Sequence, residues 1–251
     1  MSHWLLIIGA GLVAGFVNAV AGGGSLLSFP ALMFAGLSPV RANATSTVAL
    51  WPGALASVWA YRSQISARRR EAMAMALPSL IGGLAGSILL IHTPEKAFRF
   101  VVPYLILLAC VLLTVQGPVA QWVSRRARPG ATGISPVFWV IQFFISVYGG
   151  YFGAGIGILM LAAIAIFMPE DLQSANALKV LMALLINLMA LLYFVLIGAA
   201  DLKVAGIMAG ASILGGYTGA HAAQRISPPL LRTLVVIFGL VVAFRLLSSA
   251  E

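Results

Sequence analysis

Two glycine-rich strings interrupt the hydrophobic sequence, one in each half of the chain. The first covers residues 22–25, with Asn18 one helical turn before it, and the second covers residues 153–157. Glycine lets backbone N–H groups approach a ligand closely, and a helix that begins after the string turns its positive N-terminal end toward the same place. Because anions bind to both features, we expect the two strings to form an anion site.

Polar side chains follow each string at matching distances. Asn43 and Asn176 open the next long segments, where they are either donors to the anion or ordinary helix N-caps. Lys179 stands where a helix enters the membrane, so it either contacts the ligand or extends to the membrane surface. The predicted substrate-binding residues are Asn18, Gly22, Gly23, Gly24, Ser25, Asn43, Thr45, Gly153, Gly155, Gly157, Asn176 and Lys179.

The acidic residues and histidines argue against catalysis and against a metal site. All six acids fall in a loop, at the end of a segment or at the terminus, so no embedded carboxylate is available for a proton or sodium relay. The three histidines are far apart, and the single cysteine excludes a disulfide within the chain. Ser25 has no evident base, which disfavours an intramembrane hydrolase. We therefore expect no enzyme, no catalytic residue, no metal and no cofactor.

The composition is that of an integral membrane protein. Of 251 residues, 61% are hydrophobic and 8% are charged, whereas soluble domains have about 25% charged residues. The formal charge of +9 comes from basic residues in loops at membrane boundaries, where lysine and arginine mark the cytoplasmic side. No aromatic residues are interleaved with them, so nucleic acid is not an expected partner.

An internal repeat relates the two halves at a constant offset of 133 positions. The matching positions include Gly22 with Gly155, Phe34 with Phe167, residues 42–44 with 175–177, Gly82 with Gly215, Gly86 with Gly219, and Arg99 with Arg232. We interpret the Gly82–Gly86 and Gly215–Gly219 pairs as helix packing. The chain is thus predicted to contain a first repeat at 1–118, a basic cytoplasmic linker at 119–133, and a second repeat at 134–251.

Each repeat divides into five hydrophobic segments. The predicted segments are 4–20, 25–36, 42–61, 72–91 and 97–116 in the first repeat, and 137–152, 156–168, 175–197, 204–222 and 229–248 in the second. The second segment of each repeat is too short to span a bilayer, which takes about 20 residues. We therefore predict an all-α fold in which each repeat is a re-entrant helical hairpin plus three transmembrane helices.

The charged loops indicate that the two repeats are inverted. Residues 68–70 are three consecutive arginines, whereas the corresponding loop at 199–203 has one aspartate and one lysine. The same loop thus lies in the cytoplasm in one repeat and outside in the other. Both termini are then non-cytoplasmic, and the two glycine breaks meet near the midplane. Inverted repeats with broken helices are typical of secondary transporters.

Several strings also resemble a known family. Residues 15–25 (GFVNAVAGGGS), 29–32 (FPAL) and 42–45 (ANAT), with residues 149–157 (GGYFGAGIG) and 175–179 (ANALK), are similar to the TauE/SafE family of sulfite and organosulfonate exporters. The resemblance covers essentially the whole chain. It implies a multi-pass inner-membrane transporter, and an exporter, of small sulfur-containing anions such as sulfite, thiosulfate or sulfonates.

Two other functions are open at this point. A membrane scaffold or assembly component would share the hydrophobic composition, but it would gain little from destabilised helices at matching depths. An anion channel would share the site and differ from a carrier in kinetics.

Overall fold

The computed structural model describes residues 2–20, 23–126, 136–168, 171–222 and 228–248. Every regular element in these ranges is an α-helix, which confirms the all-α prediction. The helices of the first half are α1 (Ser2–Val20), α2 (Ser25–Phe34), α3 (Pro39–Ala60), α4 (Arg62–Ala67), α5 (Arg69–His92) and α6 (Glu95–Arg126). Those of the second half are α7 (Pro136–Tyr151), α8 (Ile156–Phe167), α9 (Leu172–Leu196), α10 (Leu202–Ala222) and α11 (Pro228–Ser248).

The helical surface is apolar, as a lipid-facing surface must be. Leu196 and Phe244 are 83% and 74% exposed. Four helical stretches in the described ranges are long and apolar enough to cross a membrane: Arg69–His92, Glu95–Arg125, Leu172–Leu196 and Leu230–Ser248. Helices α3 and α10 have 22 and 21 residues, which also matches the length that a bilayer requires. The protein is therefore a membrane protein.

Matching helices of the two halves make matching contacts. Helix α1 packs along α10, and its counterpart α7 packs along α5, so the first predicted segment of each repeat lies against the fourth predicted segment of the other. Glycines make both approaches possible. A Cβ atom at Gly82 would lie 2.6 Å from the Phe143 carbonyl oxygen, and one at Gly219 would lie 2.7 Å from the Phe16 carbonyl oxygen. The paired glycines of α5 and α10 thus serve packing, as interpreted from their spacing.

The two ends of the bundle can be identified from loop contacts. Arg41 forms an ion pair with Asp201 at 3.4 Å, and we call this the Arg41 end. At the opposite end of α9, hydrogen bonds from Ser174 hold the pKa of the Asp171 carboxyl below its usual range, and the nearby positive charge of Arg68 lowers it further. We call this the Arg68 end. The 25 residues of α9 span about 37 Å between the two ends.

Two elements differ from the sequence-based segments. Residues 62–67 form the short helix α4 instead of a loop, and Arg62 closes its junction with α3 by donating from Nη1 to the Trp59 carbonyl at 3.0 Å. Helix α6 continues past residue 116, through Pro118, to Arg126. Proline removes one helical hydrogen bond, which is tolerated in membrane helices when neighbouring groups satisfy the backbone. The first part of the predicted linker is therefore helical, and residues 127–135 lie outside the described ranges.

Candidate functional site

The first glycine break separates α1 from α2. Gly23 has φ +87°, a left-handed conformation that glycine adopts without steric cost. A Cβ atom there would also lie 3.0 Å from Cδ1 of Leu113, so the break rests closely against α6. Helix α2 begins at Ser25, and its N-terminal turn opens beside Gly23. Gly22, which the sequence analysis included, lies outside the described residues.

The second break separates α7 from α8 and has two left-handed glycines. Gly153 has φ +79° and Gly155 has φ +80°. The hydroxyl of Tyr148 donates to the Ala154 carbonyl at 2.7 Å, and this bond fixes the backbone segment between the two residues. A Cβ atom on Gly155 would lie 3.0 Å from Cδ1 of Leu112. The second break thus also rests on α6, and it directs the N-terminus of α8 inward.

The two breaks are close together in space. They contact consecutive residues of α6, Leu112 and Leu113. Phe29 of α2 meets Phe152 of the second break edge to face, with ring centroids 5.5 Å apart. The hairpin from each half therefore reaches the same interior region, between α3, α6 and α9.

A cavity of about 260 Å³ lies between the breaks. This volume is slightly below the range of roughly 300–1,000 Å³ of pockets for drug-sized ligands, which suits a smaller solute. Eight of the predicted site residues line it: Asn18, Gly23, Ser25, Asn43, Gly153, Gly155, Gly157 and Lys179. The fold therefore brings residues from both halves of the sequence to one polar cavity.

Lys179 is the cationic group of this cavity. Its stem lies along Gly157, where a Cβ atom would be 3.0 Å from Cδ of the lysine. Its ammonium group donates to Oδ1 of Asn176 at 2.7 Å. The two ion pairs seen in the described part of the chain are Arg41–Asp201 and Arg68–Glu71, so Lys179 has no carboxylate partner there. An amide oxygen orients the cation without neutralising it.

A second cation lies near Lys179. Arg232 of α11 is close enough for its positive charge to repel that of Lys179. Its Nε atom is buried without a hydrogen-bond partner among the described residues. Arg232 does not line the cavity, but a second positive charge near Lys179 raises the local positive potential, which favours an anion. The sequence analysis noted Arg232 only as the repeat partner of Arg99.

The structure excludes one of the two roles considered for the asparagines, that of helix N-cap. Ser38 occupies the N-cap position of α3, and Asp171 caps α9 by accepting from the Gln173 and Ser174 backbone N–H groups. The N-cap interpretation of Asn43 and Asn176 is therefore wrong. Asn43 instead donates from Nδ2 to the Tyr151 carbonyl at 2.9 Å, which joins α3 to the second break.

The other predicted residues lie beside the cavity rather than on its wall. Gly24 faces α1, where a Cβ atom would collide with the Ala14 carbonyl oxygen. Thr45 points toward the Arg41 end, where its hydroxyl accepts from the Asp201 backbone N–H at 2.9 Å. Asn176 reaches the cavity only through its hydrogen bond to Lys179. Gly24 and Thr45 thus support the packing around the site.

The site also contains polar residues that the sequence analysis did not select. On α3 these are Ser46, Thr47 and Trp51, which share one helical face with Asn43. Gln116 and Asn187 line the cavity from α6 and α9. Asn187 stands in the middle of a long apolar run, where a polar amide is costly in a membrane and usually functional, so its position alone could have revealed it. Gln116 ends the predicted segment 97–116, so no such signal marks it.

Comparison with known proteins gives the family. The family model described as Sulfite exporter TauE/SafE matches residues 7–246. The chain belongs to the TauE/SafE family. This confirms the resemblance inferred from the strings around the two breaks, and the TauE/SafE match covers both halves of the cavity.

Curated relatives of this TauE/SafE chain are named as transporters. A "Probable membrane transporter protein" of Haemophilus influenzae is 29% identical over 90% of this chain and 88% of its own length. "Probable membrane transporter protein ORF9" of a Sinorhizobium species is 26% identical, with 96% and 90% covered. "Probable membrane transporter protein YfcA" of Escherichia coli K12 is 25% identical, with 96% and 88% covered. No solved structure matches the chain.

Proposed function

We propose that this protein transports small sulfur-containing anions, such as sulfite, thiosulfate or a sulfonate, across the bacterial inner membrane. The observation that carries the proposal is the cavity between the two glycine breaks, where Lys179 stands without a carboxylate partner in the described ranges. The name of the family supplies the sulfur chemistry. The geometry supplies the preference for a small anion.

The cavity offers an anion two kinds of donor, helix N-termini and a lysine ammonium group. The N-termini of α2 and α8 begin at Ser25 and Ile156, directly after the breaks. Each favours a negative charge by about 0.3–1 kcal/mol when exposed and up to about 2 kcal/mol when partly buried. A hydrogen bond from Lys179 to a charged oxygen adds about 1.5–3 kcal/mol. These contributions give a moderate affinity, and a carrier needs moderate affinity in order to release its substrate.

From its lining residues and the contacts around it, we infer that the cavity is open toward one end of the bundle and closed toward the other. Its wall continues along α3 to Ala54 and Ser57, in the last two turns before the Arg68 end. Toward the Arg41 end, the Phe29–Phe152 contact and the hydrogen bond from Asn43 close it. Because arginines cluster at the Arg68 end, we assign that end to the cytoplasm. Substrate then enters from the cytoplasm, as in an exporter.

Alternating access follows from an inverted relation between the two repeats, 1–118 and 134–251. Matching contacts support this relation, since α1 packs on α10 and α7 on α5. The ends of the hairpins support it too. Trp4 of α1 lies at the Arg41 end, under the ammonium group of Lys203, whereas α8 leads into Asp171 at the Arg68 end. An inverted pair of hairpins gives the bundle two equivalent arrangements, one open to each side.

Flux through vesicles that contain only this protein tests the proposal. Purified protein should move radiolabelled sulfite, thiosulfate or sulfoacetate into sealed vesicles, and protein-free vesicles are the control. Unlabelled anion inside should accelerate uptake of the label if the protein is a carrier, and should leave it unchanged in a channel. A protein that binds none of the three anions and moves none is the membrane scaffold instead.

A further inference from the structure

A larger cavity of about 940 Å³ opens at the Arg68 end, between α3, α4, α5 and α9. It shares no lining residue with the cavity between the two glycine breaks, which we call the anion cavity because of the proposed function. Its wall is mainly apolar and includes Leu55, Trp59, Met73 and Leu181. The first three are 45%, 70% and 65% exposed, so this groove is open to the surroundings of the bundle. An open apolar groove on a membrane helix bundle faces hydrocarbon chains.

Both edges of the groove repeat the same order of residues. On α5, Arg69 is followed by Met73 and Ala76, one and two turns deeper on the same face. Along α3 and into α4, Leu55 and Trp59 lead to Arg62 at the surface. The distance along α5 from residue 69 to residue 76 is about 10 Å. Each edge thus has an arginine at its mouth and apolar residues within.

The two arginines at the mouth are available to a ligand. Arg62 and Arg69 are exposed, and neither forms an ion pair with a described carboxylate. Arg62 is held at the mouth by Trp59, because its guanidinium carbon lies 4.9 Å above the indole ring and its Nη1 donates to the Trp59 carbonyl. The neighbouring Glu71 is occupied by Arg68, at 4.0 Å.

We propose that this groove binds one anionic phospholipid, with its phosphate between Arg62 and Arg69 and an acyl chain along the apolar wall. Arginine presents a planar fork of donors that matches phosphate oxygens. A basic mouth above an apolar groove fits a ligand with the charge and the hydrocarbon in that order, and basic pockets between membrane helices bind anionic headgroups.

The basic mouth of the groove, Arg62 and Arg69, belongs to the first repeat. The positions that correspond to α4 are residues 195–200, which end α9, turn at Gly198 and contain no arginine. The second repeat contributes to the anion cavity without a pair of arginines at these positions. Packing around the anion cavity therefore does not explain why the first repeat has Arg62 and Arg69 at the mouth of the groove. The groove also reaches Leu181, two residues from Lys179 on α9. A bound lipid packs against the helix that carries the cation of the anion cavity.

Lipid titration of the purified full-length chain tests the proposal. In detergent, phosphatidylglycerol should bind more tightly than phosphatidylcholine with the same acyl chains, measured by native mass spectrometry. Arg62→Gln and Arg69→Gln should each weaken phosphatidylglycerol binding about fivefold, and together about 30-fold. Arg125→Gln is the matched control, because Arg125 is also exposed and lies in the last turn of α6, at the same end of the bundle. It should change binding by less than twofold.

A second variant tests the apolar part of the groove with both arginines kept. Ala76→Trp fills the inner wall and should reduce binding of the lipid, while melting in detergent shows whether the variant is folded. Glycerol 3-phosphate, which has the charge and no acyl chain, should not compete. Equal binding of the two lipids by the unmodified protein, an equal loss in Arg125→Gln, or full competition by glycerol 3-phosphate would overturn the proposal.

Discussion

Replacing Lys179 by methionine removes the cation of the anion cavity and leaves most of its stem in place. Methionine has a similar length and no charge, so the space beside Gly157 stays filled. The variant loses the hydrogen bond to Asn176 and any bond that the ammonium group gives to a ligand. The rest of the cavity, including both glycine breaks, is unchanged. A loss of anion affinity can therefore be assigned to the charge.

The structure sets the size of the expected loss. A hydrogen bond from a charged donor contributes about 1.5–3 kcal/mol, and this corresponds to a 10- to 150-fold weaker dissociation constant. Lys179→Arg keeps the charge, so its affinity for the anion should fall by less than tenfold. Lys203→Met is the control, because that lysine lies 5.3 Å above the Trp4 ring at the Arg41 end, outside the cavity. The dissociation constants of Lys203→Met for the anions should stay within twofold of those of the unmodified protein.

Isothermal titration calorimetry of the purified protein measures these constants. Sulfite, thiosulfate, sulfoacetate and taurine form the panel, and thermal melting in detergent shows that each variant is folded. The reasoning fails if folded Lys179→Met binds every anion of the panel as tightly as the unmodified protein does. It also fails if Lys203→Met loses as much affinity as Lys179→Met.

Three further predictions concern the framework of the site. Asp171→Ala should lower the free energy of unfolding by about 1 kcal/mol at neutral pH through loss of the α9 cap, while Asp171→Asn should keep most of the cap. Because the pKa of Asp171 is lowered in the folded state, the contribution of this carboxylate to stability should fade as the pH falls through that pKa. Urea unfolding of the protein at a series of pH values checks the sign. Gly155→Ala should lower the free energy of unfolding by about 1–2 kcal/mol, because φ is +80° there and a Cβ atom would lie 3.0 Å from Cδ1 of Leu112. Gly53→Ala is the control: a Cβ atom there has open space, so the variant should raise the free energy of unfolding by about 0.5–1 kcal/mol. Equal stabilities of the two variants would contradict this account. In a cysteine-free background, Ile65→Cys should react with impermeant maleimide only from the cytoplasmic side and Ala199→Cys only from the other, and labelling of both from one side would refute the inverted arrangement.

Hydrophobic composition and repeat spacing were sufficient to predict much of the fold. A low fraction of charged residues excludes a soluble surface, and the short segments after each glycine string predict broken helices. The constant offset predicts which helices correspond. These features can be read from the sequence itself, so the predictions made from them do not depend on how the helices pack. The continuation of α6 through Pro118 was missed because proline is normally a helix breaker and surrounding helices decide when it is tolerated.

The site could be predicted only in part, because a helix turns by about 100° at each residue. Thr45 and Ser46 are neighbours in sequence, yet only Ser46 faces the cavity, while Thr45 accepts a bond from the backbone near the Arg41 end. The repeat offers a guide here, since Ser46 corresponds to Lys179 and both line the cavity. Arg232 could not be found in this way, because its approach to Lys179 depends on how α11 packs across the bundle.

The location of the bound anion tests the central claim most directly. Selenite is the selenium analogue of sulfite, and its anomalous scattering identifies it in a crystal of the protein soaked with the anion. We predict one strong selenium peak between the two glycine breaks, within about 4 Å of the Lys179 nitrogen, because an oxygen of the anion would accept a charge-assisted hydrogen bond of about 2.8 Å from the ammonium group. A selenite peak elsewhere in the bundle, with this cavity empty at a concentration that saturates binding, would contradict the account.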